Sequence, residues 1–199
     1  MFFYLLVSLA GLLIRIDAVG HAAPQTSGRN REKQVAGELN TSGWYSIFRH
    51  PLYIANFLLY LGPVLVTEDP VIIIPFIFIV SIYYKLISLA EDDFLSNKFG
   101  DVHAEWAEKT PGFIPVFSHY KPPIYPFSWS RILMNEYHIL IEIPVAFLAV
   151  TAVKNFSSFG TWHPGLFWIL TLPVCFLMWL VLQIRHKREK QKWRKNQVL

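Results

Sequence analysis

The chain has 199 residues, 53% of them hydrophobic and only 16% charged, with a net charge of +4 and a mean hydropathy of +0.34. A soluble domain carries about a quarter charged residues, and here the apolar residues come in blocks, so a water-soluble globule is excluded and an all-α, polytopic membrane bundle is the expected fold. The single cysteine, Cys175, excludes an intrachain disulfide, no prenylation box ends the chain, and no nucleic-acid signature is present.

The first block, MFFYLLVSLAGLLIRIDAVGHAA, ends on small residues like a signal-peptide cleavage site. No positive charge precedes its apolar core, however, and Arg15 and Asp17 follow it, so a retained helix is expected over about 1–19. Residues 20–48 are polar and glycine-bearing and read as a loop with room for a short helix. Four further apolar runs, at about 49–66, 71–90, 132–152 and 163–184, bring the expected spans to five. TEDP at 67–70 is so short that the second and third spans must form an antiparallel pair.

Residues 91–130 open with EDDFLSNKFGDVHAEWAEKT, whose Phe94, Leu95, Phe99 and Trp106 suit an amphipathic surface helix broken near Gly100 and ended by Pro111. KPPIYPF then reads as an extended linker. The pair His163-Pro164 reads as a helix start, and no internal repeat is evident. The basic residues Arg29, Arg31, Lys33, Arg49, Lys98, Lys109, Lys121 and Arg131, with the tail at 185–199, lie in loops on one side of the bundle, against Lys154 on the other. By the positive-inside rule those loops face the cytoplasm and the N-terminus faces out.

Ionisable groups at membrane depth are costly and usually face a bundle interior or a cavity. Three stripes at helical spacing stand out: His50, Tyr53, Phe57 and Tyr60; Ser81, Tyr84, Ser88 and Glu91; and Arg131, Asn135, His138 and Glu142. A network that only glues helices is one reading of them. The other is a polar pocket at the cytoplasmic helix ends, roofed by 91–115 and open to lipid. FRHPLY, at 48–53, has the same two readings: Pro51 suits a first helical turn and Arg49 can snorkel, or His50 and Tyr53 face the pocket.

His50-Pro51-Leu52-Tyr53, then Glu91-Asp92-Asp93-Phe94-Leu95, Phe99-Gly100 and Thr110-Pro111-Gly112-Phe113-Ile114-Pro115, resemble the motif set of the isoprenylcysteine carboxyl methyltransferase and phospholipid methyltransferase superfamily. The resemblance runs from about Gly11 to Pro115. Thr26-Ser27-Gly28-Arg29-Asn30, Leu39-Asn40-Thr41, Gly43-x-Tyr45-Ser46 and Pro126-Phe127-Ser128-Trp129 before Glu136-Tyr137 are similar to its bacterial branch, some of whose members methylate a lipid A phosphate. Two departures stand out. The second acid is Asp92 where Glu is commoner, and the chain begins on what looks like a late family helix.

The resemblance implies an integral membrane enzyme of a bacterial inner membrane that uses S-adenosyl-L-methionine. Its acceptor would be lipidic, with an anionic phosphate or carboxylate headgroup favoured over an amine or thiol. It implies no metal and no nucleic-acid partner, and leaves the oligomeric state open. Carried over by position, Tyr45, Arg49, His50, Pro51, Tyr53, Glu91 and Asp92 form the cofactor site. From the stripe at 131, 135, 138 and 142, and not from the resemblance, Arg131 and His138 are expected to orient the headgroup, with His138 or Glu142 as the base for a neutral acceptor. One membrane domain over 1–199 is expected, with its cofactor core at 11–115, acceptor helices at 116–184 and a basic tail at 185–199. A sterol-type membrane reductase using NADPH is the alternative enzyme, and a non-enzymatic scaffold the alternative to both.

Overall fold

The computed structural model describes residues 2–23, 26, 36–162 and 165–197. Arg29, Arg31, Lys33, the motif Ser27-Gly28-Arg29-Asn30 and the pair His163-Pro164 lie outside the described residues. Among those described, every regular element is a helix, apart from one isolated antiparallel bridge between Gly43 and Lys121. The chain divides into two compact units, Met1–Ser128 and Trp129–Leu199.

In the first unit α1 (Phe2–Gly20) packs along α2 (Pro51–Leu65). Their contact is made of small residues. A Cβ on Gly11 would sit 2.5 Å from the Ala55 carbonyl oxygen, and one on Gly62 would overlap Ser8. Such close approach is how helices gain dispersion energy in a bilayer, where water does not drive them together. Ser8 Oγ donates to the Leu59 carbonyl at 2.8 Å across the same seam. Deeper in the pair the buried Arg15 guanidinium donates to Asn56 Oδ1 at 2.6 Å.

Pro51 starts α2 with His50 at its N-cap, and the helix runs only 15 residues. At 1.5 Å per residue that is about 22 Å, short of a 30 Å hydrocarbon core. Arg49 and His50, expected at the head of the second span, therefore lie outside the helix. Asp69 caps α3 (Pro70–Phe99) by accepting from the Val71 amide at 2.9 Å. With 30 residues, α3 is about 45 Å long and outruns the bilayer. Its last three turns carry Glu91 and Asp92 beyond the apolar stretch, where a separate surface helix was expected. The break does come at Gly100, whose φ of 53° a side chain would resist. A second helix, α4 (Asp101–Lys109), follows it.

In the second unit α5 (Trp129–Asn135) ends before α6 (Ile139–Phe159), which packs on α7 (Leu166–Gln197). Phe147 stacks on Trp168 at 4.7 Å in that seam. Four helices, α1, α3, α6 and residues Leu166–Arg188 of α7, are long and apolar enough to cross a membrane, with α2 a shorter apolar companion. The protein is thus a helical membrane bundle.

Candidate functional site

Two strands of irregular chain are laced together at the head of α2. The Arg49 amide donates to the Pro111 carbonyl at 2.8 Å, the His50 amide to Gly112 at 3.3 Å, and the Val116 amide to Ile47 at 3.0 Å. Gly43 donates to Lys121 at 2.9 Å, and the Lys121 amide donates to Ser46 Oγ at 2.9 Å. Trp106 of α4 ties the third side down, its indole donating to the Tyr45 carbonyl at 3.1 Å. Proline-broken segments without helix or sheet partners satisfy their backbone groups through one another here. The result fixes the backbone of Arg49 and His50 against Pro111-Gly112-Phe113.

The end of α3 delivers the carboxylates to the same place. His50 is 4% exposed. Its Nδ1 lies 3.4 Å from Glu91 Oε2 and its Nε2 lies 3.3 Å from Asp92 Oδ1. Arg49 pairs with the other Asp92 oxygen at 3.2 Å. Burial by itself would lower the His50 imidazole below its ordinary value, but the Asp92 and Glu91 carboxylates outweigh burial and hold it raised. Asp93 is exposed, so the two acids facing His50 are Glu91 and Asp92. Four buried polar atoms in this cluster, Arg49 Nε, His50 Nε2, Asp92 Oδ1 and His103 Nε2, lack an aligned hydrogen bond. Buried polar groups are nearly always satisfied, so a polar guest suits this spot.

Aromatic rings continue from the cluster into the helix pair. His50 stacks on Tyr53 at 5.6 Å, Tyr53 stacks on Tyr84 at 5.3 Å, and Phe113 tilts against His50 at 5.5 Å. Beside them lies a cavity of about 390 Å³, open on one side and walled by Tyr53, Phe57, Ser81, Tyr84 and Phe113 among others. The stripe of α2 and the stripe of α3 thus meet, although Tyr60 is exposed and the Ser88 hydroxyl is spent on the Lys85 carbonyl at 2.8 Å. Tyr45 and Pro51 flank the cluster, Tyr45 in a short 3-10 turn at Trp44–Ser46 and Pro51 buried at the helix start.

Sequence reasoning missed His103. This buried α4 imidazole brings Nε2 to 3.7 Å from Asp92 Oδ1 and meets Trp106 edge-on at 5.7 Å. Its signal was the pair His103 and Trp106, three residues apart in a helix whose other residues are charged or small and aliphatic, which share a face. Arg15 was missed as well, because it reads as the charged end of an apolar run.

Arg131, His138 and Glu142 belong to the second unit. The expected continuous stripe through Asn135 is not on one helix. A turn at Glu136-Tyr137-His138 separates α5 from α6, so Arg131 and Glu142 sit on different helices. Glu142 lies in the first turn of α6, where a carboxylate complements the helix dipole. Tyr137 meets the His138 ring edge-on at 5.9 Å.

A family model for phospholipid methyltransferases matches residues 25–102, the stretch holding α2, α3 and the histidine–carboxylate cluster. The cobalt-zinc-cadmium resistance protein CzcN of Cupriavidus metallidurans is 35% identical over 161 residues, 80% of this chain and 69% of that protein. This chain belongs to the phospholipid methyltransferase family. The nickel-cobalt-cadmium resistance protein NccN of Alcaligenes xylosoxydans xylosoxydans is 33% identical over 118 residues, covering 59% of this chain and 53% of that protein. No solved structure matches the chain. The family match stops at residue 102, so His103, Trp106 and the Pro111–Phe113 lacing lie beyond it.

Proposed function

We propose that the protein is an integral membrane methyltransferase that uses S-adenosyl-L-methionine to methylate a lipidic acceptor with an anionic headgroup, its site facing the cytoplasm. One observation carries this reading. Arg49, His50, Glu91 and Asp92 converge around buried polar atoms that lack aligned partners, beside an aromatic-walled cavity. The donor set fits the cofactor. Glu91 and Asp92 can accept from an ammonium or ribose hydroxyls, Arg49 can pair with its carboxylate, and Tyr53 and Phe113 offer ring faces to a sulfonium. The adjoining cavity of about 390 Å³, within the roughly 300–1,000 Å³ typical of ligand pockets, is left for the acceptor.

When bound, the cofactor supplies a methyl carbon on a cationic sulfur, which an acceptor lone pair can displace in line. The chain's own part is to orient and to exclude water. Pro51 launches α2 so that Tyr53 faces the cavity. The lacing to Pro111 and Gly112 holds His50, and α3 presents the two acids. Precise alignment of this kind accounts for several kcal/mol of barrier lowering, up to about 10 in the best cases. An anionic acceptor needs no base. On the acceptor side we assign headgroup orientation to Arg131 and His138, and proton removal from any neutral acceptor to His138 or Glu142.

The relatives are named for metal resistance, and the chemistry offers a link. Methylating a lipid phosphate or carboxylate removes one negative charge, and with it part of a divalent cation's binding site at the membrane. The reductase alternative fares worse, since a 2′-phosphate calls for basic groups to pair with and those of this cluster, Arg49, His50 and His103, already face the Glu91 and Asp92 carboxylates. Calorimetry on purified protein with S-adenosylhomocysteine and with NADPH tests the choice. Binding of the first, abolished by His50→Ala, is expected; binding of NADPH alone would overturn the reading. Membranes incubated with methyl-labelled cofactor should then place label in the lipid fraction. Label in protein or volatile material would refute the lipid acceptor.

A further inference from the structure

On α3, Lys85 lines the cavity with Tyr53, Phe57, Ser81 and Tyr84. It lies six residues before Glu91, so its Cα is about 9 Å further toward the middle of the bilayer. No described residue forms an ion pair or hydrogen bond with its ammonium. An unpaired lysine at this depth can snorkel to the headgroup layer, and for that any outward face of α3 would do. Lys85 is instead placed on the face that closes the cavity, whose other walls are apolar or aromatic apart from Ser81. Lys85 lines the cavity chiefly with its carbon stem, so its ammonium stands at the rim as one cation for the headgroup of an amphiphile, while Ile54 and Phe57 offer apolar surface to the carbons. The depth fits as well. From Glu91 back to Ser81 the helix runs about 15 Å, which spans the headgroup layer and the first carbons of a chain.

We propose that this cavity seats an anionic lipid of the surrounding bilayer, its phosphate or carboxylate paired with Lys85. Lys85 is thereby the residue of the first unit that selects anionic over zwitterionic lipids. That the seated lipid is the methyl acceptor rests on the reading above; that it binds does not.

The test uses the full chain in phosphatidylcholine nanodiscs, without cofactor. A phosphatidic acid bearing a photoactivatable diazirine on its acyl chain is added and crosslinks are mapped. Labelling should fall on α2 and α3 around Phe57 and Ser81 and be competed by unlabelled phosphatidic acid. Lys85→Gln should weaken it roughly tenfold, the loss of one charge-assisted contact of about 1.4 kcal/mol, and Lys85→Arg should restore it. Equal labelling by a diazirine phosphatidylcholine, or unchanged labelling of a Lys85→Gln protein that melts like wild type, overturns the proposal. Competition by inorganic phosphate at the same concentration also overturns it, by showing a site for the free anion. Failure here with intact S-adenosylhomocysteine binding removes the lipid seat alone. Loss of that binding with intact labelling removes the methyltransferase reading alone.

Discussion

Asp92 is the centre of the cluster, and replacing it by asparagine removes charge while nearly preserving shape. Its two oxygens face Arg49 at 3.2 Å, His50 at 3.3 Å and His103 at 3.7 Å. At an effective dielectric of about 20, the Arg49 pair alone attracts by about 5 kcal/mol before desolvation. Desolvation of both ions takes back most of this, and the Arg49 and Asp92 side chains keep 23% and 20% of their exposure, so screening takes more. What remains holds the cluster together, and a charged hydrogen bond from the same carboxylate to a bound ligand contributes about 1.5–3 kcal/mol of its own. Asp92→Asn should therefore weaken S-adenosylhomocysteine roughly 10- to 100-fold by calorimetry. Asp93→Asn, at the exposed neighbour, should leave affinity within about twofold, as surface changes generally do. Equal losses in the two variants, or no loss in Asp92→Asn with the protein folded, would refute the placement of the cofactor at this cluster.

His50 adds a pH dependence. Its pKa is raised in the fold from an ordinary 6.5, so the proton favours the folded state. Its stabilisation is complete below pH 6.5 and is lost as pH climbs through the raised value. Thermal melts in detergent should show stability falling on that alkaline side, and His50→Gln should flatten the slope; a parallel slope in the variant would rule His50 out as its source. His103→Gln should reduce S-adenosylhomocysteine affinity a few-fold and alter the pH profile of the Asp92 cluster, whereas a merely structural role would move the melting temperature and leave that profile unchanged. Gly11→Val should cost roughly 2–3 kcal/mol by forcing α1 from the Ala55–Leu59 backbone, read as loss of folded protein in size-exclusion profiles; a wild-type profile would show that the close seam is dispensable.

The blocks of apolar residues by themselves marked which stretches are helical, though not that α2 is as short as Pro51–Leu65 or that α3 runs on through the acids to Phe99. Gly100 marked a break, and the steps of three and four set Tyr53 with Phe57 and Ser81 with Tyr84 on single faces. Local geometry suffices for these features because a helix face depends on nothing beyond neighbouring residues. Spacing placed His50 and Glu91 on polar stripes, and the resemblance of the motifs added Asp92 and the cofactor role. Other features lay beyond local reading. The stripe through Arg131 was broken by a turn at Glu136–His138, because helical spacing in the letters does not oblige a helix to continue. His103 entered the cluster through the break at Gly100, and the Arg49 backbone was fixed by a hydrogen bond to Pro111, more than sixty residues away. Periodicity reports which side of a helix a residue occupies. Only the folded chain decides what stands opposite, since partners distant in sequence meet through turns and prolines whose direction no local pattern encodes.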